Sequence, residues 1–280
     1  MEIKSSVENA LQDDVLSIDR LNKLCLWVRI PHLHRTIVWK VLMGVLPIYK
    51  EAWDFVNDQR ILYFQILRES TSILFYSDLR GASSDLTCPF LVQMIVIELS
   101  SQSPNELNRI FASEPPRHLM DIATAFLDIC DSEEDAFWEC LYFVKRYQLS
   151  TGFNFQWVEP IMALFRKLLE SHNLQLFDHL NSLVSSFYDT FGHWFMCCFA
   201  RILSPHNIEG IWDIVIGGSP EILSYVALCI VLGVRRKIES CRSISDLNNV
   251  MSSISEYMDS DSVSSLSIEL WEKPALERNK

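Results

Sequence analysis

The chain has 280 residues, 49% of them apolar and 21% charged, with a formal net charge of −12. That length supports one two-lobed domain or two small ones, and this much apolar material excludes an intrinsically disordered chain. The densest basic stretch is only Val234–Arg242 (VRRKIESCR), which excludes a reader of duplex nucleic acid, because that task needs a broad basic face.

Residues 1–14 (MEIKSSVENALQDD) are acidic and lack the apolar core of a signal peptide. They are expected to form part of an N-terminal extension over 1–15. Pro31 opens PHLHRTIVWKVLMGVLP, where Leu33, Ile37, Val41, Leu42 and Val45 predict one buried stripe that Pro47 ends. Arg35 and Trp39 sit at i and i+4 of this helix, where a guanidinium can lie against an indole. Pro89 starts PFLVQMIVIELSS, which has more apolar positions than one buried face consumes. Ser103-Pro104-Asn105-Glu106 combines an N-cap serine, a proline at the first helical position and a glutamate.

EPPRHLMDIATAF (114–126) stops one element with two prolines and places Arg117 and His118 in the first turn of the next. Ser132 precedes Glu133-Glu134-Asp135, where a helix macrodipole favours negative charge. The Ser-Thr-Gly cluster in Tyr147–Phe155 marks an internal boundary. Ser204-Pro205 and Ser219-Pro220-Glu221 announce two more helices. Ile222–Val234 reads as a helix buried on most sides, being shorter than the ~20 residues that cross a bilayer. Strand alternation and hairpin turns do not occur, so the expected fold is all-α with about a dozen helices.

Eight cysteines fall mostly in apolar, helical runs and have no C-x-x-C or Cys/His spacing, which points to reduced, structural thiols and no metal site. No glycine-rich phosphate cradle, G-x-S-x-G elbow or H-E-x-x-H is present, so no cofactor is expected. The chain reads as soluble and cytoplasmic, with no transmembrane segment and no nucleic-acid partner.

Four fragments in order carry a resemblance. They are Arg35-x-x-x-Trp39, the Ala136-Phe137-Trp138 end of DSEEDAFW, HWFMCCFARIL (His193–Leu203), and Ile211-Trp212-Asp213 in IEGIWDIVIGG. Together they resemble the TBC domain, the two-lobed helical module of Rab GTPase-activating proteins. The resemblance implies a domain over 16–275, with one lobe to about 148, a second from about 155 and a tail at 276–280. Arg35, Trp39, Phe137, Trp138, Trp212 and Asp213 would be its structural motif residues.

The short chain and its C-terminal SLSIELW look most like the branch that serves as the small third subunit of the tuberous sclerosis complex. That likeness implies the coiled-coil region of hamartin as partner, with tuberin in the same complex. The complex accelerates GTP hydrolysis on Rheb and restrains mTOR signalling. Recruitment to lysosomal or vesicle membranes would then come through partners.

Active TBC proteins supply an arginine in I-x-x-D-x-x-R and a glutamine in Y-x-Q-G, which add positive charge in trans and orient the attacking water. Counted back from Ala136-Phe137-Trp138, the glutamine falls on His118 and the tyrosine on Pro116. The nearest approach to the arginine motif is Leu74–Arg80 (LFYSDLR), with Ser77 in place of the aspartate. Arg80 and His118 are therefore relic candidates, and the reading is a TBC fold without catalysis. A direct Rab GTPase-activating protein and a helical adaptor for another partner are the alternatives. For partner docking, the surplus apolar positions of Pro89–Ser101 nominate Met94 and Ile97.

Overall fold

Serine and proline punctuation sets several helix starts. Ser204 stands at the N-cap position of a helix whose first residue is Pro205, and Ser132 Oγ accepts the Asp135 amide at 3.1 Å. A computed structural model describes residues 2–28, 30–74, 87–100, 117–147 and 157–278. Among the described residues there are sixteen α-helices and no strand. Val15 and Tyr49 pair only as a single antiparallel bridge.

The chain divides into two compact units, Met1–Leu21 with Ile30–Tyr147, and Asn22–Arg29 with Gln148–Lys280. The first contains α1 (Glu2–Ala10), the start of α2 (Ile18–Trp27), α3 (His32–Met43), α4 (Trp53–Leu74), α5 (Thr87–Ser100), α6 (Arg117–Ile129) and α7 (Glu133–Tyr147). Its core is a run of aromatic rings. Trp39 meets Phe126 edge-on at 6.3 Å, Phe126 meets Phe143 at 5.5 Å, and Phe143 meets Tyr147 at 4.9 Å.

The expected stripe of α3 is corrected at Leu33. Val41, Leu42 and Val45 of that stripe are buried and Ile37 is half-buried, but Leu33 is 74% exposed, and Arg35, Val38, Trp39 and Met43 are buried as well. The large Trp39 ring takes the core, which leaves the Leu33 end of the stripe facing outward.

The second unit contains α8 (Val158–His172), α9 (Leu174–Leu183), α10 (Phe187–Met196), α11 (Pro205–Ile216), α12 (Ile222–Gly233), α13 (Arg235–Ser240), α14 (Ile244–Ser252), α15 (Ile254–Tyr257) and α16 (Ser260–Arg278). Every residue of α12 from Ile222 to Val231 is buried, as a helix apolar on all sides requires. Its one serine is satisfied: the Ser224 hydroxyl donates to the Ile161 carbonyl of α8 at 2.7 Å. Phe165 on α8 is the hub of a ring cluster with Phe187, Phe191 and Phe195 of α10, at 5.6–6.1 Å. All eight cysteines are free, and six are buried. Among the described residues no helix is long and apolar enough to cross a membrane.

Candidate functional site

Both partners of the Arg35/Trp39 pair lie in the core of the first unit. Arg35 is 4% exposed, and its Nη2 donates to the Ile30 carbonyl at 2.6 Å. Trp39 is fully buried against Phe126. The arginine thus fastens the entry of α3 to the residue before Pro31.

Phe137 and Trp138 open the same way onto α4. Phe137 is fully buried against Phe64, 5.5 Å between centroids. The Arg60 guanidinium lies 4.5 Å over the Trp138 ring, donates from Nε to the Val45 carbonyl at 2.8 Å, and reaches the Tyr142 hydroxyl at 3.1 Å. A cation so placed gains from the ring quadrupole while its donors are used on oxygen.

In the second unit, Trp212 and Asp213 are both buried. The Trp212 indole donates to the Cys198 carbonyl at 3.0 Å. That carbonyl belongs to a turn in which Cys198, Phe199 and Arg201 all have positive φ. Left-handed backbone at a non-glycine residue is strained by ~1–3 kcal/mol, so the buried indole is a brace for this turn.

Of the finger positions, His118 begins the inward face of α6. It is 8% exposed and shares one stripe with the buried Ile122, Phe126 and Ile129, while Arg117 beside it is exposed. Arg80 and Pro116 lie outside the described residues, as does Ser103-Pro104-Asn105-Glu106.

Met94 is 1% exposed and Ile97 is half-buried. Met94 lines a cavity of about 300 Å³ with Phe64, Arg68, Phe90, Leu91 and Glu133. Arg68 and Glu133 pair across its rim at 3.0 Å. The doubly apolar character of α5 is therefore spent mainly on burial.

The exposed apolar face belongs to α4 instead. Phe64, Leu67 and Thr71 are its core side. On the opposite side Phe55, Leu62, Ile66 and Ile73 are 68%, 51%, 53% and 77% exposed. At 100° per residue these four fall within about 20° of one line, running about 27 Å along the helix. With the exposed Gln59 and Glu69 the positions 55, 59, 62, 66, 69 and 73 alternate steps of four and three, the spacing of a coiled-coil seam. Sequence reading passed over this face, although its signal was present: two apolar stripes on opposite sides of one helix.

Comparisons with known proteins agree with this architecture. A Rab-GTPase-TBC domain model matches residues 118–238. The Ypt/Rab-GAP domain of Gyp1p superposes with a TM-score of 0.63 over 98% of both chains at 15% identity, a likeness of fold. The fold is that of the TBC domain of Rab GTPase-activating proteins, and the sequence match to that domain lies within residues 118–238. More particularly, the chain is similar along its length to TBC1 domain family member 7: 28% identical over 275 residues to the Homo sapiens protein and 26% over 274 to that of Xenopus tropicalis. Each alignment spans 98% of this chain and 90% of the relative.

Proposed function

We propose that this chain is a non-catalytic TBC-domain subunit that binds the coiled-coil region of hamartin and stabilises the hamartin–tuberin complex. In that role it supports GTP hydrolysis on Rheb and restraint of mTOR signalling, and partners recruit it to lysosomal or vesicle membranes. The observation that carries the reading is the outer face of α4. Four exposed apolar side chains in seam register are what a partner helix with heptad apolar residues would cover. Burying each is worth roughly 1.5–3 kcal/mol. Gln59 and Glu69 interrupt the seam with polar groups that would fix its register.

The finger positions carry the non-catalytic part of the reading. An imidazole on the inward face of α6 presents no amide to orient a water, and proline at the neighbouring tyrosine position lacks a phenol. A Rab GTPase-activating protein would need another residue, Arg80 first among them.

The reading is tested by co-purifying the chain with the hamartin coiled-coil region. Wild type is expected to co-purify, and Leu62→Glu/Ile66→Glu to lose the partner with its circular-dichroism melt unchanged. Retention of the partner by that folded variant would move the interface elsewhere. Single-turnover assays on Rab proteins should stay within about threefold of the intrinsic rate, and a stimulation of ~10³ would instead make the chain a GTPase activator.

A further inference from the structure

Glu139 is the chemically least expected residue of the first unit. It sits on α7 directly after Trp138, is fully buried, and neither carboxyl oxygen has a hydrogen-bond partner of ordinary geometry among the described residues. A buried carboxylate with no more than a weak thiol donor beside it is expensive, and such a group normally meets the problem by keeping its proton.

Among the described residues its surroundings hold one cation, Lys40, for the three acids Glu134, Asp135 and Glu139. Lys40 reaches in from α3 and pairs with Asp135 at 2.5 Å, one turn before Glu139 on α7. The same ammonium acts on Glu134, whose carboxyl is held above its ordinary range by burial and by Asp135. Cys130 faces Glu139 from the turn before α7; burial and then Glu139 push its thiol upward, so it stays protonated. From α5, Cys88 faces the adjacent Cys140.

We propose that Glu139 is a buried proton site that latches α3 to α7. As the neutral acid it leaves Lys40 to Asp135; as the carboxylate it competes for Lys40 and loosens that junction. The driving imbalance is electrostatic, since one ammonium cannot neutralise two buried or half-buried carboxylates together. Burial pushes the Glu139 carboxyl up to about 8, Asp135 adds to this, and Lys40 and the Cys130 thiol pull against it.

The sign follows from linkage. An unfolded glutamate releases its proton near 4.5, whereas the folded one holds it to about 8. The contribution of Glu139 to stability is therefore full at low pH, is lost progressively across that interval, and changes no further above it.

The experiment uses the whole chain, labelled with 13C at the glutamate carboxyls and titrated by NMR. One resonance, assigned by its loss in Glu139→Gln, is expected to titrate far above the others, and Lys40→Met should move its midpoint further up. A Glu139 midpoint among the ordinary glutamates, or one that Lys40→Met leaves in place, would overturn the proposal. Melting carries the second readout. The Tm of Glu139→Gln minus that of wild type should grow as pH rises through the interval and then level, and parallel curves would also overturn it. If Glu139→Gln fails to fold, the single late-titrating resonance in wild type and its response to Lys40→Met decide the matter.

Discussion

The Arg35 guanidinium donates to the Ile30 carbonyl at 2.6 Å inside the core of the first unit. The two residues flank Pro31, which supplies no backbone donor of its own. Arg35→Ala removes the side chain and leaves a buried carbonyl without that donor. We expect a loss of ~1–3 kcal/mol, through lost packing and the unpaired acceptor, measured by denaturant unfolding. Partner binding should persist while the variant is folded; a variant with wild-type stability that fails to bind would place Arg35 at the interface.

Met94 and Ile66 separate core from docking face. Met94 is 1% exposed and Ile66 53%. Met94→Glu buries a charge in an apolar site and should lower stability by at least ~3 kcal/mol. Ile66→Glu should change it by less than ~0.5 kcal/mol, as surface substitutions do. Equal melts for the two variants would contradict the burial of α5.

Gly217 is a position of close approach rather than of unusual backbone. A methyl group there would lie 2.8 Å from Cys25 Cβ and 3.1 Å from the Asp213 carbonyl oxygen. Gly217→Ala should therefore destabilise the chain by ~1–3 kcal/mol through overpacking. Cys25→Ala would leave Cβ in place and should not rescue it, whereas Cys25→Gly should restore part of the loss. The melts of the single and double variants check this.

Tyr63 donates its hydroxyl to the Glu98 carboxylate. That hydrogen bond, then burial, then the Glu98 charge push the phenol up to about 12 from its usual 10.0. For an acid held above its unfolded value, the associated stability is present below pH 10 and is lost as pH rises toward 12. An ultraviolet phenolate titration should show a late-ionising tyrosine that Tyr63→Phe deletes and Glu98→Gln shifts down. A titration unchanged by Tyr63→Phe would contradict the pairing.

Helical content was readable because its signals are local. The cap at Ser132, the proline at the first position after Ser204, and the all-round apolar run from Ile222 act within a turn or two of chain. The motif residues were legible as types for the same reason: a tryptophan at i+4 from an arginine, or the Phe137-Trp138 pair, announces a packed face wherever the chain goes. What these residues pack against was not legible. Whether Leu33 or Trp39 takes the core, whether Met94 is covered, and which side of α4 stays in water depend on elements tens of residues away, and burial is decided by the neighbours that arrive. Glu139 is the extreme case. In sequence it is one more acid in an acidic helix start, and only the closure of α3 over α7 makes it a carboxyl without water, with one lysine shared among its neighbours.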